Sequence, residues 1–121
     1  MKIGTIGIGG MGAPMAQNLV QDGDSVLAYD IAAEKVDAIV DAGLTRAESV
    51  AEIALNCELI ILMTPDDKAL CDVIYGDDGI LSVESFRGCV VDLSTTSENL
   101  AREIGIAVTA HGAGYLDGAV I

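Results

Sequence analysis

Short apolar runs alternate with amphipathic stretches along the whole chain, the rhythm of repeated strand–helix–strand units. Residues 2–8 (KIGTIGI) predict a first strand. Residues 11–21 predict a helix with Met11, Met15, Leu19 and Val20 on one face, stopped by Gly23. A second strand follows over SVLAYD, closing on Asp30. Next comes a helix over residues 33–42, with Val36, Ile39 and Val40 inward and Gly43 as its end. LTRA reads as a short third strand, and residues 49–55 as a helix. ELIILMT, nearly continuous in apolar residues, reads as a fourth strand buried on both faces. Asp66 or Asp67 is placed to cap the helix after it, because a carboxylate there accepts first-turn amide hydrogens. CVVDLS is the fifth strand, residues 97–110 a long helix weakened by Gly105, and GYLDGAV the sixth strand.

Two strand–helix–strand–helix–strand halves in succession predict a single α/β domain over residues 1–121. Its mainly parallel six-stranded sheet is doubly wound in the order 3-2-1-4-5-6, with helices on both faces. Composition agrees. The chain is 51% apolar but only 3% aromatic, so Ile, Val, Leu and Ala supply the core. No apolar run is long enough to span a bilayer, and the amino terminus lacks the shape of a secretory signal. A cytoplasmic protein is the expectation. A net charge of −13 repels nucleic acid and anionic membranes, so neither is an expected partner, and any anionic ligand must be held by local backbone dipoles. Cys57, Cys71 and Cys89 are odd in number and lie in apolar segments, which predicts buried free thiols.

Between the first strand and first helix lies IGIGGMG. Its glycines at Gly7, Gly9 and Gly12 form a GxGxxG pattern with a strand before it and a helix after it. Gly7 permits a tight turn, Gly9 lets backbone approach a pyrophosphate, and Gly12 lets the helix pack closely on the strand. The helix start offers free N–H groups and a positive dipole end to phosphate. Asp30, 18 positions past Gly12, ends the second strand, where a carboxylate accepts hydrogen bonds from adenosine ribose hydroxyls and repels a 2′-phosphate. The only nearby cation is Lys35, so NAD is expected over NADP.

Longer stretches resemble one family. IGIGGMGAPMAQNLV is similar to the GLGxMGxPMAxNL opening of the β-hydroxyacid dehydrogenases. These include 3-hydroxyisobutyrate dehydrogenase-like enzymes and share a Rossmann-type cofactor domain with 6-phosphogluconate dehydrogenase and the imine reductases. MTP at residues 63–65, GDDGIL, DLSTTS and GYLDGAV resemble further segments of that domain, so the likeness covers the whole chain. The resemblance implies that Gly7, Ile8, Gly9, Gly10, Met11 and Gly12 line the pyrophosphate and Asp30 the ribose. It places Thr64 and Pro65 against the cofactor, Thr95 at the nicotinamide side, and Ser94 on a substrate carboxylate. It also implies hydride transfer to a small-molecule β-hydroxyacid and homo-oligomerisation through a helical C-terminal domain. The catalytic lysine lies in that domain beyond residue 121, so no catalytic residue is expected in this chain.

The last strand departs from the pattern. Gly118 and Ala119 replace Ala and Pro, Ile121 stands where the family has Ser, and YLDGAV is closer to imine reductases. An NADPH-dependent imine reductase is therefore an alternative, which Asp30 disfavours. A non-catalytic nucleotide-binding module is a second alternative. Other chemistry reads as structural. His111 suits the carbonyls at its helix end, Asp117 a structural acceptor, and Thr96 or Ser97 a helix cap. Asp92 lies at a strand end near the crevice. Asp66-Asp67 and Asp77-Asp78 serve caps and turns, since adjacent residues do not converge on one point. No spacing suits a metal site.

Overall fold

A computed structural model describes residues 1–8, 12–94 and 96–118. Six strands, β1 (Lys2–Ile6), β2 (Ser25–Tyr29), β3 (Thr45–Arg46), β4 (Leu59–Leu62), β5 (Cys89–Asp92) and β6 (Gly114–Asp117), form one sheet in the order β3-β2-β1-β4-β5-β6. Every pairing is parallel, with Ile6 opposite Tyr29 on one side and Leu62 on the other, and Leu62 opposite Asp92. The expected strand order is the observed one. The order reverses between β1 and β4, opening a crevice at the carboxyl ends of these strands.

Helices α1 (Gly12–Gln21), α2 (Ala33–Asp37), α3 (Val50–Asn56), α4 (Asp67–Tyr75) and α5 (Glu98–His111) make the connections. Two apolar clusters result, one on each face of the sheet. The larger joins Ile6, Ile60, Leu62 and Val90 of the strands to Ile53, Leu70, Ile74, Ile104 and Val108 of the helices. The smaller joins Val26 and Ala28 to Ala16, Val36 and Leu44. Ser49, Asp66 and Ser97 cap α3, α4 and α5 through bonds to the amides of Glu52, Ala69 and Leu100. Each cap satisfies an amide left free at a helix start.

Several local expectations are corrected. The helix over residues 33–42 stops at Asp37, and its remainder tightens into a 3-10 turn at Val40–Ala42. The bonds there run from Ala42 N–H to the Ile39 carbonyl and from Gly43 N–H to the Val40 carbonyl. Three β-branched residues in five positions weaken a helix, and Val40 points outward. In α1 the residues against the sheet are Gly12 and Ala16, while Met15, Leu19 and Val20 are half-buried, because the small residues bring the helix axis close. Of the three free thiols only Cys57 is buried. Cys71 lies off the inward stripe of Leu70, Val73 and Ile74, and Cys89 alternates with the inward Val90. Asp117, expected as a structural acceptor, is exposed. The His111 Nε2 meets the carbonyl of Val83 at 2.9 Å, outside its own helix.

Candidate functional site

The exit from β1 is a turn that tolerates only glycine at its pivot. The Gly7 N–H donates to the Tyr29 carbonyl at 2.9 Å, and Gly7 has φ +98°, a left-handed conformation. A Cβ on Gly7 would meet the Met63 carbonyl, and one on Gly12 would meet the carbonyl of Gly7. Both positions are therefore compelled by backbone packed on backbone. The N-terminus of α1 sits directly against the strand end. Among the described residues, α1 alone of the five helices has no acidic residue in its first turn, leaving its positive end uncompensated.

Asp30, just past β2, closes this loop from the other side. One carboxylate oxygen accepts from the Ile8 N–H at 2.7 Å and the other from the Ala32 N–H at 2.9 Å. Each oxygen retains a further lone pair for an incoming hydroxyl. Ile8 itself turns its side chain into the smaller core cluster, so only its backbone is available to the loop.

Thr64 and Pro65 follow β4 across the crevice. The Thr64 N–H donates to Ser94 Oγ at 2.7 Å, and the two hydroxyl oxygens lie 2.9 Å apart. Ser94 is only 4% exposed, so its hydroxyl is occupied by Thr64. Beneath them Asp92, fully buried, accepts from the Ser94 N–H and from the hydroxyls of Thr96 and Tyr115. Burial, reinforced by the bond to Asp92, raises the Tyr115 phenol well above its ordinary range and keeps it a donor.

A cleft of about 570 Å³ joins these parts. Gly7, Tyr29, Asp30, Thr64 and Pro65 line it, and Ser94 does not. Its wall also carries Glu48, Asp66, Asp72, Asp77 and Asp78, with Lys68 as the one cation among the lining residues, whereas Lys35 lies elsewhere. Gly9, Gly10, Met11 and Thr95 lie outside the described residues. Among the described residues no cluster of His, Cys, Asp or Glu suits a metal ion, and no helix is long and apolar enough to cross a membrane. Sequence reasoning left Tyr115 out of the site. The period-two burial of CVVD, with Asp92 in phase with Val90, is the signal that places Asp92 inside.

A glycine turn at a strand end, an uncompensated helix start and a carboxylate closing the next strand are the parts that the chemistry of a dinucleotide cradle calls for. Residues 2–121 match the family described as the NAD binding domain of 6-phosphogluconate dehydrogenase. The chain belongs to that family. Among its relatives, 3-sulfolactaldehyde reductase of Escherichia coli is 40% identical over 93 residues, covering 77% of this chain and 31% of the enzyme. A solved 3-hydroxyisobutyrate dehydrogenase of Mycobacterium tuberculosis, with L-serine, superposes with a TM-score of 0.89 at 28% identity, covering 99% of this chain and 40% of that one. An imine reductase of Myxococcus stipitatus in complex with NADP+ shares the fold, with a TM-score of 0.89 at 24% identity, covering 100% and 41%. The NAD-binding domain thus spans well under half the length of each of these relatives.

Proposed function

We propose that this NAD-binding domain holds NAD in the crevice between β1 and β4, as the cofactor half of an oxidoreductase acting on a small β-hydroxyacid or its semialdehyde. The observation that carries the reading is Asp30, whose carboxylate sits on the Ile8 amide at the mouth of the glycine turn. From there it is within reach of a ribose diol bound over the cradle, and its charge opposes a 2′-phosphate. Gly7, Gly12 and the start of α1, with Gly9, Gly10 and Met11 between them in the sequence, would take the pyrophosphate. Thr64, Pro65 and Thr95 would face the nicotinamide, and Ser94 the substrate carboxylate. When bound, the nicotinamide supplies the hydride acceptor or donor; the protein supplies binding and orientation. The names of the sulfolactaldehyde and hydroxyisobutyrate enzymes support the substrate class.

An imine-reducing enzyme that uses NADPH is the second reading, supported by the YLDGAV segment and the shared fold. Calorimetric titration of the 121-residue chain with NADH and NADPH separates the two. Tighter NADH binding is expected. Tighter NADPH binding overturns the role given to Asp30, and binding of neither overturns the cradle.

A further inference from the structure

We propose that Tyr115 and Asp92 are positioning residues that lock the exit of β5 so that Ser94 holds Thr64 as a prebuilt seat for the nicotinamide half of the cofactor. This assignment rests on the dinucleotide reading above. Asp30 lies past β2, on one side of β1, and β4 and β5 lie on the other. A dinucleotide that crosses at the glycine turn with its adenosine ribose toward Asp30 therefore extends its other half over the ends of β4 and β5.

Around those ends five residues, Thr64 after β4, Asp92, Ser94 and Thr96 at and after β5, and Tyr115 within β6, form one hydrogen-bonded network. In the parallel register Val90 faces Tyr115, so Asp92, two residues on, shares its face with the Tyr115 ring. The phenol donates to one Asp92 oxygen at 2.7 Å, which also takes the Thr96 hydroxyl at 3.3 Å. The other oxygen takes the Ser94 N–H at 2.9 Å. The Ser94 Oγ in turn accepts the Thr64 N–H and lies within hydrogen-bond distance of the Thr64 hydroxyl. The network ends on Thr64, at the cleft wall.

The surroundings are shaped for this reach. The Tyr115 ring lies over Gly105 of α5, where an added Cβ would stand 3.3 Å from its Cδ2. A glycine within a helix costs up to about 1 kcal/mol relative to alanine, and here it gives the ring room. A buried carboxylate is costly unless its donors are supplied, and Asp92 has three. Such a network has one low-energy arrangement, so the Thr64 backbone and hydroxyl stay in place before any ligand arrives.

The test compares two ligands on the 121-residue chain: NADH, and ADP-ribose, which has the adenosine and pyrophosphate parts without nicotinamide. Tyr115→Phe keeps the ring on Gly105 and removes only the donor, and Asp92→Asn keeps the shape and removes an acceptor. The expected result for each is NADH binding weakened roughly tenfold, the size of one lost hydrogen bond, with ADP-ribose affinity within about twofold of wild type. Equal weakening of both ligands, or no change in either, overturns the proposal in favour of a purely structural pair. If Asp92→Asn does not fold, Tyr115→Phe alone decides by the same comparison. A wild-type chain that binds neither ligand overturns the dinucleotide reading, and this assignment with it.

Discussion

Asp30 carries two separable duties, and two substitutions pull them apart. Asp30→Ala deletes both acceptors. The Ile8 amide, in a residue only 4% exposed, then loses its partner at 2.7 Å. An orphaned buried amide costs about 1–3 kcal/mol. The Ala32 amide belongs to a half-buried residue and turns to water at little cost. The total is thus about 1–3 kcal/mol, or a melting temperature lowered by roughly 3–12 °C in a chain of this size. Asp30→Asn keeps an oxygen for Ile8 and removes only the charge. A carboxylate about 5 Å from a phosphate, at an effective dielectric of roughly 40, repels it by about 1–2 kcal/mol per unit charge. Losing that repulsion lowers the ratio of NADPH to NADH dissociation constants about tenfold or more. Differential scanning calorimetry and titration with both cofactors read the two effects. An asparagine variant with the wild-type ratio would refute the electrostatic reading. An alanine variant with the wild-type melting temperature would refute the tether.

Two further outcomes follow from packing and burial. Gly12→Ala drives a methyl onto the carbonyl of Gly7, which is backbone and cannot swing aside. Overpacking of this kind costs about 1–3 kcal/mol, and moving α1 off the strand end should weaken NADH binding at least tenfold in a fluorescence titration. An unchanged affinity would show that the helix start does not hold the phosphates. Burial pushes the Cys57 thiol from 9.0 up to about 11, so the folded chain keeps a proton that the unfolded chain releases near pH 9. The contribution is complete below that pH and is lost as pH rises toward 11, amounting to about 1 kcal/mol by pH 10. Urea midpoints of wild type and Cys57→Ala should converge by that amount between pH 8 and 10; a constant gap refutes it.

The sheet order was readable because every strand run is short, apolar and separated by a helical stretch, which leaves few arrangements open. The glycine turn was readable for a related reason, since its spacing is a statement about backbone approach. What stayed hidden depends on register and on small residues. Ala16 outranks Met15 on the inner face of α1 because closeness, not side-chain size, decides what touches the sheet there. The link from Tyr115 to Asp92 joins positions 23 apart on neighbouring strands, and only the pairing of Val90 with Tyr115 brings them together. The break after Asp37 arises from a balance between a weak helix former and the short path to β3, which periodicity does not weigh.

The carboxylates around the cleft bear on how quickly a ligand arrives rather than how firmly it stays. Glu48, Asp66, Asp72, Asp77 and Asp78 stand at its wall in a protein of net charge −13. An incoming pyrophosphate must cross that field before the amides of the glycine turn can act on it. Added salt shortens the field's range, to about 8 Å at physiological ionic strength. The encounter rate therefore climbs with ionic strength, the reverse of an enzyme that steers its anionic ligand inward.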